Sequence, residues 1–204
     1  MNRIGQIYCD MDGVLVNFKD PVEKMIKDAI SGNLYSRDVR VNKLKIKLRE
    51  KFPNADDFSF EEHNLDKAAK RFMMNFISHN PEKFFANLPP LLDGSVKLWN
   101  YINSLGLYVN ILTAPVRDYT SSIEPARRGK TSWVQNHLSP QPRKIIVVDA
   151  VDKRKWAISE DGAPNVLIDD KKSTIDSWNE DGGIGILHVP GESENSIKIL
   201  STYF

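Results

Sequence analysis

The stretch IYCDMDGVLVNF, residues 7–18, contains two aspartates directly after a short apolar run that is typical of a buried β-strand. Asp10 and Asp12 are separated by one residue, and Gly13 follows them with the freedom to turn the chain back over the strand end. Because side chains alternate along an extended chain, Asp12 returns to the side of Asp10. Two carboxylates this close repel each other, and a bound cation would offset that repulsion. The stretch therefore predicts a site with polar chemistry at the end of the first strand.

After residue 88 the chain alternates between short apolar runs and amphipathic segments, which indicates strands that alternate with helices in a parallel sheet. The apolar runs are continuous, as expected for strands that are covered on both faces. Four such runs follow the first strand: LYVNILT (107–113), KIIVV (144–148), NVLID (165–169) and IGILHV (184–189). Helices are predicted near residues 96–102, 129–138, 153–158 and 173–179, and over 193–204.

Between the first and second strands, apolar residues recur at helical spacing in three segments, 22–30, 41–52 and 65–77. Asn80–Pro81 is expected to stop the third of these helices. The polar stretch RDYTSSIEPARRGK, residues 117–130, is expected to form a long mobile loop. The pattern predicts an α/β domain that is interrupted, after its first strand, by a helical insertion.

Composition narrows the class of protein without naming a function. The chain has 204 residues, of which 41% are hydrophobic and 27% charged, and a net charge of +1 that argues neither for nor against a polyanionic partner. Cys9 is the single cysteine, so an intrachain disulfide is excluded and a reducing compartment is favoured. The first ten residues do not resemble a signal peptide, and no run is apolar enough for a membrane span. We expect a cytoplasmic protein with no membrane partner.

Polar residues follow several strands at the point where each strand ends. The second strand ends in Thr113, and the fourth ends in VLIDD, residues 166–170. Asp149 follows the third strand, with Lys153 and Lys155 after it. Ligands bind beyond the carboxyl ends of the strands in an open parallel sheet, so these groups are expected to meet at one edge.

Each of these residue types suits a particular chemistry. Converging carboxylates supply the hard oxygen ligands that Mg²⁺ prefers. A hydroxyl, the backbone N–H groups after it and a lysine suit phosphate oxygens. One carboxylate that faces a phosphate can act as a nucleophile, and a second carboxyl can protonate the leaving oxygen. The set predicts an enzyme that transfers phosphoryl groups.

These motifs resemble those of the haloacid dehalogenase superfamily. DMDGV resembles its first motif, ILTAP its second, a lysine after the third strand its third, and VLIDD its fourth. The resemblance covers nearly all of the chain and implies a Rossmann-like parallel sheet. It also implies a catalytic core of residues 1–17 and 89–204, with residues 18–88 as a small helical cap inserted after the first strand.

A closer resemblance is to the 5'(3')-deoxyribonucleotidases and their bacterial and phage relatives. It is carried by DMDGVLVNF, FFANLPPLLDG, ILTAPV, GKTSWVQNHL, NVLIDD and SWNEDGGIGILH. This resemblance implies Mg²⁺-dependent hydrolysis of (deoxy)nucleoside monophosphates through an aspartyl-phosphate intermediate. The implied partner is a small nucleotide; base preference, sugar preference and oligomeric state do not follow from it.

The resemblance also implies roles for the strand-end carboxylates. Asp10 resembles the nucleophile, which also binds the metal. Asp12 resembles the acid/base residue, and its backbone carbonyl is a further metal ligand. Asp169 resembles the third protein ligand of the metal, and Asp170 supports it, most simply through a water molecule.

Phosphate-binding roles fall on the second and third motifs. Thr113 and the backbone at Ala114 resemble the phosphate-binding segment. The third-motif lysine is either Lys153 or Lys155, and the DK pair and the nearer strand end favour Lys153.

Three further residues are candidates for contact with the substrate. Phe18 stands where relatives place an aromatic side chain against the nucleotide, with packing between core and cap as the alternative. Lys130 matches a lysine of the related stretch, with a position on a helix surface as the alternative. Arg117 could reach the phosphate or the base, or lie in solvent as a loop residue.

Rival functions remain open from the sequence. The segment RDVRVNKLKIKLREK, residues 37–51, is basic, which fits a solvated helix face or a guide for nucleotides and nucleic-acid ends. A phosphatase of polynucleotide 3' ends or of another small metabolite is therefore an alternative. A phosphotransferase and a non-catalytic binding protein of the same fold are two more.

Overall fold

A computed structural model of the protein describes residues 3–60, 65–91, 94–116 and 122–204. Its centre is a five-stranded sheet in which every neighbouring pair is parallel, with the strand order β3-β2-β1-β4-β5. The strands are β1 (Ile7–Cys9), β2 (Val109–Thr113), β3 (Ile145–Val147), β4 (Val166–Asp169) and β5 (Ile184–Leu187). The predicted α/β class with a Rossmann-like parallel sheet is confirmed.

The register of the three central strands aligns their carboxyl ends. Cys9 of β1 lies opposite Ile111 of β2 on one side and Ile168 of β4 on the other. All residues of these three strands are buried, because helices cover both faces of the sheet. Asp10 and Asp169, which follow Cys9 and Ile168, therefore emerge side by side at one edge, and Thr113 lies one residue further along β2.

Eight α-helices occur in the described part of the chain. They are α1 (Lys19–Ser31), α2 (Val39–Lys51), α3 (Lys67–Ile77), α4 (Pro81–Ala86), α5 (Ser95–Ser104), α6 (Glu124–His137), α7 (Lys172–Glu180) and α8 (Ser193–Leu200). Two 3₁₀-helices, Ala55–Asp57 and Ala150–Trp156, accompany them. None of the helices in the described ranges is both long and apolar enough to cross a membrane.

Two sequence predictions about the helices need correction. The stretch 117–130 is not a loop throughout, since α6 begins at Glu124; Pro125 in its first turn has the backbone angle a helix start favours. Residues 117–121 lie outside the described residues. The short helix α4 was not predicted, although Asn80 caps it and Pro81 opens it, so that Asn80–Pro81 starts a helix as well as following one.

The described part of residues 18–88 contains helices and no strand of the sheet. Buried apolar side chains on one face of α1 and of α3 pack together with the sheet residues in one hydrophobic core. Phe18, Lys70 and Met73 of this part line a cavity together with the strand ends of the sheet. The division into a core and a cap stays a prediction, and the helices lie where they can limit access to the sheet edge.

Candidate active site

The carboxyl edge of the sheet opens into a cavity of about 300 Å³. All five predicted strand-end aspartates line this cavity, including Asp149 after β3, together with Lys153 and Ala114. The other four aspartates belong to two separate clusters, which differ in composition. The first contains Asp10, Asp169, Asp170 and Lys153, and we call it the triad cluster.

Three buried carboxylates converge in the triad cluster. Asp10, Asp169 and Asp170 each have a carboxylate oxygen that lies within 4.8 Å of the others. Lys153 Nζ lies 2.9 Å from Asp10 Oδ2 and 2.7 Å from Asp169 Oδ2. One buried ammonium thus faces three buried carboxylates, and the cluster has an excess of negative charge.

The backbone fixes the direction of these carboxylates. The N–H of Met11 donates to Asp10 Oδ1 at 2.7 Å, and the N–H of Lys171 donates to Asp169 Oδ1 at 2.9 Å. Gly13 has a φ of 76°, and a Cβ at that position would lie 2.0 Å from Asp170 Oδ2. A glycine is therefore required after DMD for two reasons, its left-handed conformation and the close approach of Asp170.

Electrostatics keep the lysine of this cluster charged. Burial acts against the charged form of Lys153, but Asp10 and Asp169 outweigh it and raise the pKa of the ammonium. Burial also raises the pKa of the Asp169 carboxyl, which Lys153 opposes and the nearby Asp10 reinforces. A further cation at the cluster would relieve the repulsion among the carboxylates.

The donor set fits a hard divalent cation. It consists of carboxylate oxygens alone, with no sulfur or imidazole nitrogen in the group, which suits Mg²⁺ or a similar ion. Asp10, Asp169 and Asp170 are the side chains that would hold it. The carboxylate of Asp12 is engaged elsewhere, which leaves its backbone carbonyl for the role implied by the resemblance.

The second cluster contains Asp12, Thr113 and Lys130, and we call it the lysine-held cluster. Lys130 Nζ lies 2.7 Å from Asp12 Oδ2 and 3.0 Å from the hydroxyl oxygen of Thr113. Lys130 and Thr113 are fully buried. Asp12 Oδ1 is buried without a hydrogen-bond partner among the described residues. Burial raises the pKa of the Asp12 carboxyl, and Lys130 opposes that shift.

Helix α6 carries Lys130 into the site because it packs very closely on α4. A Cβ at Gly129 would lie 2.4 Å from the backbone oxygen of Glu82, so only glycine permits this approach. The ring of Phe85 on α4 lies 4.4 Å from Lys130 Nζ in a cation–π contact. These contacts bring the lysine side chain inward, beneath the cavity.

The structure decides between the alternatives for the two lysine positions. Lys153 lies in the triad cluster, whereas Lys155 is 68% exposed and pairs with Asp152, so Lys155 is excluded from the site. Lys130 is buried, so a place on the helix surface is wrong for it. Gly129, directly before it, permits the close packing of the helix that buries Lys130.

Phe18 and Arg117 are the two remaining candidates for contact with the substrate. Phe18 packs edge-to-face against Phe60 and Phe84, with ring centroids 6.4 and 6.0 Å away, and it also lines the cavity. Packing is therefore established, and contact with a ligand stays a prediction. Arg117 lies outside the described residues.

Comparison with known protein families by sequence finds no match. No curated protein matches the chain either. Solved structures with a similar fold do occur. A haloacid dehalogenase-like hydrolase from Streptococcus pneumoniae is 14% identical with a TM-score of 0.51, and the match covers 98% of this chain and 99% of that one.

A haloacid dehalogenase-like hydrolase from Bacteroides fragilis is 15% identical with a TM-score of 0.50, over 90% of this chain and 86% of that one. These likenesses define the class of fold: the chain has the fold of the haloacid dehalogenase-like hydrolases. They do not test the finer resemblance to deoxyribonucleotidases, which was carried by motifs alone.

Proposed function

We propose that the protein is a Mg²⁺-dependent phosphomonoesterase that hydrolyses (deoxy)nucleoside monophosphates. The observation that carries this proposal is that both motif aspartates line one cavity, Asp10 beside Lys153 and Asp12 held by Lys130. The fold of known hydrolases supports the reaction class. The nucleotide substrate rests on the motif resemblance and on the lining of the cavity.

Asp10 is the proposed nucleophile. Its carboxylate is held by the Met11 N–H and by Lys153, so it is oriented before any substrate binds. Attack on phosphorus forms the aspartyl phosphate and breaks the bond to the leaving oxygen. Lys153 remains an ammonium through this step and offsets charge on the phosphoryl oxygens. Mg²⁺, when bound by the triad cluster, supplies further charge compensation there.

Asp12 is the proposed acid and base. Lys130 fixes Asp12 Oδ2, which leaves the unpartnered Asp12 Oδ1 to carry a proton. In the first step the Asp12 carboxyl protonates the leaving oxygen, and in the second its carboxylate takes a proton from the water that hydrolyses the aspartyl phosphate. A raised pKa, caused by burial, suits a carboxyl that must be protonated at the start of the cycle.

The cavity lining supports a leaving group with an apolar, planar part. Phe18, Met73, Met74 and Val116 lie on its walls next to the carboxylates. Aromatic and thioether side chains bind flat apolar surfaces such as nucleobases through dispersion and stacking. This part of the proposal concerns the substrate and can fail while the reaction class holds.

Phosphate release from an aryl phosphate and from a panel of nucleotides tests the proposal. Asp10→Asn should reduce turnover by about 10³-fold or more while circular dichroism stays unchanged, because the amide is a poor nucleophile. Turnover at the rate of the unaltered protein would contradict the mechanism.

EDTA should stop release of phosphate and added Mg²⁺ should restore it. Activity confined to 3'-phosphorylated oligonucleotides or to sugar phosphates would contradict the mononucleotide substrate, and phosphate recovered on an added nucleoside would indicate a phosphotransferase.

A further inference from the structure

A second cavity of about 490 Å³ adjoins the one that contains the two clusters. The two cavities share a ring of lining residues, so they are neighbouring parts of one recess. The shared residues are Phe18, Lys70, Met73, Val116 and Lys171. Because the aspartates of the two clusters line the first cavity and not the second, the second is placed to receive a part of the substrate remote from the cleaved bond.

Two of the shared residues are lysines, Lys70 and Lys171, and neither belongs to the two aspartate clusters. The side chains of Lys70 and Lys171 form no ion pair or hydrogen bond with any described residue. In contrast, Lys172, which lines the second cavity only, is paired with Asp176 at 2.7 Å. Two uncompensated positive charges beside an apolar wall form an environment that attracts an anion.

Lys70 and Lys171 are not needed to neutralise the carboxylates of the two clusters. The inner carboxylates have counter-charges of their own, since Lys153 pairs with Asp10 and Asp169 and Lys130 pairs with Asp12. A phosphate under attack lies against Asp10 and Lys153, which belong to the first cavity only. An anionic group elsewhere in the substrate would lie nearer to Lys70 and Lys171.

We propose that the second cavity is a subsite for a second anionic group, and that the preferred substrates are nucleotides which carry one. This inference rests on the proposed function, since it concerns the leaving group of the same reaction. Phe60, Phe18 and Met73 contact the planar apolar part, and Lys70 and Lys171 contact the anion. Two sources supply that chemistry: the other terminal phosphate of a nucleoside 3',5'-bisphosphate and the phosphodiester of an oligonucleotide end.

Steady-state kinetics on three matched compounds test the subsite. They are a nucleoside 3'-monophosphate, the corresponding 3',5'-bisphosphate and a dinucleotide with the same base and a 3' phosphate. We expect kcat/KM to be higher for one or both of the last two compounds, and the preferred compound identifies the source of the anion. Lys70→Ala and Lys171→Ala should each reduce that preference roughly fivefold, as for a partly exposed ion pair.

Lys144→Ala is the matched control, because Lys144 is exposed, unpaired among the described residues and absent from the lining of both cavities. It removes the same charge and should leave the preference intact. Equal kcat/KM on all three compounds would overturn the inference. An equal loss on all three in Lys70→Ala and Lys171→Ala would also overturn it, because the lysines would then serve the cleaved phosphate.

The two proposals fail in distinguishable ways. Release from an aryl phosphate without any preference among the three nucleotides contradicts the subsite alone. Absence of release from every compound contradicts the proposed function, and the subsite is then decided by calorimetry on Asp10→Asn with Mg²⁺. Tighter binding of the bisphosphate or the dinucleotide than of the monophosphate supports the subsite, and equal binding overturns it.

Discussion

The first residues of the triad cluster and the lysine-held cluster, Asp10 and Asp12, are only two positions apart in the sequence. The two clusters nevertheless differ in their balance of charge. The triad cluster gathers three carboxylates around Lys153, so negative charge is in excess and oxygens converge. The lysine-held cluster pairs one carboxylate with its own buried lysine, and Asp12 Oδ1 has no hydrogen-bond partner among the described residues. Convergence suits a cation, and a fixed carboxyl with a spare oxygen suits proton transfer. Asp10 and Asp12 line the same cavity, so one short motif serves both clusters.

The largest expected effect is on the free energy of unfolding, which should respond to Mg²⁺ differently when the lysine of each cluster is replaced. In EDTA, Lys153→Met should lower the free energy of unfolding by about 3–5 kcal/mol, because buried carboxylates lose their counter-charge. Mg²⁺ should restore part of that loss, since the same oxygens would bind it. Chemical denaturation with and without the metal measures both values.

Two comparisons make this prediction specific. The Lys130→Met variant should also have a lower free energy of unfolding than the unaltered protein. Mg²⁺ should not narrow that difference, because the Asp12 side chain is outside the converging group. Lys155→Met should match the unaltered protein, since Lys155 is exposed. Equal recovery of both buried-lysine variants in Mg²⁺ would show that the clusters are not distinct.

A smaller effect concerns the leaving group. Lys130→Met should reduce kcat by about 10²-fold on a nucleoside monophosphate, whose alkoxide leaving group needs a proton. The loss on an aryl phosphate should be below about tenfold, because a phenolate leaves without help. Steady-state kinetics on the two substrates measure the ratio of these losses.

Asp12→Asn should show the same dependence on the leaving group, whereas Lys153→Met should lose activity on both substrates alike. If Lys130→Met lowers kcat equally on both substrates, Lys130 contributes only to packing and does not position the acid Asp12.

The smallest effect lies outside both clusters, at the contact between the ends of α2 and α3. His79 donates to the backbone oxygen of Asn75 and lies 2.8 Å from Asp38, and both contacts raise the pKa of the imidazole. Its contribution to stability is therefore complete below the unfolded pKa of about 6.5 and is lost as the pH rises through the higher folded value.

His79→Gln should lower the Tm slightly at pH 5.5 and not at pH 9, as thermal unfolding at about these two values would show. An equal change at both would mean that the imidazole charge plays no part. Activity should not follow this titration, because neither His79 nor Asp38 lines the active-site cavity.

The sheet and its strand-end aspartates were predictable because buried parallel strands are continuous apolar runs, and each ends at a polar residue. Lys153 was favoured over Lys155 by the DK pair and by its shorter distance from the strand end. The burial of Lys130 was not predictable, since it depends on α4, a helix too short for periodicity to reveal. Tertiary packing of Gly129 on Glu82 sets that position, and no local pattern encodes it.

Trapping of the intermediate tests the central claim most directly, that Asp10 attacks phosphorus while the lysine-held cluster manages protons. The protein is mixed with an aryl phosphate and Mg²⁺, quenched in acid within the first turnovers, and its peptides are weighed. The account predicts one added phosphoryl group on the peptide that contains Asp10, and none in Asp10→Asn. Turnover without a phosphorylated peptide, or with the group on another residue, would contradict it.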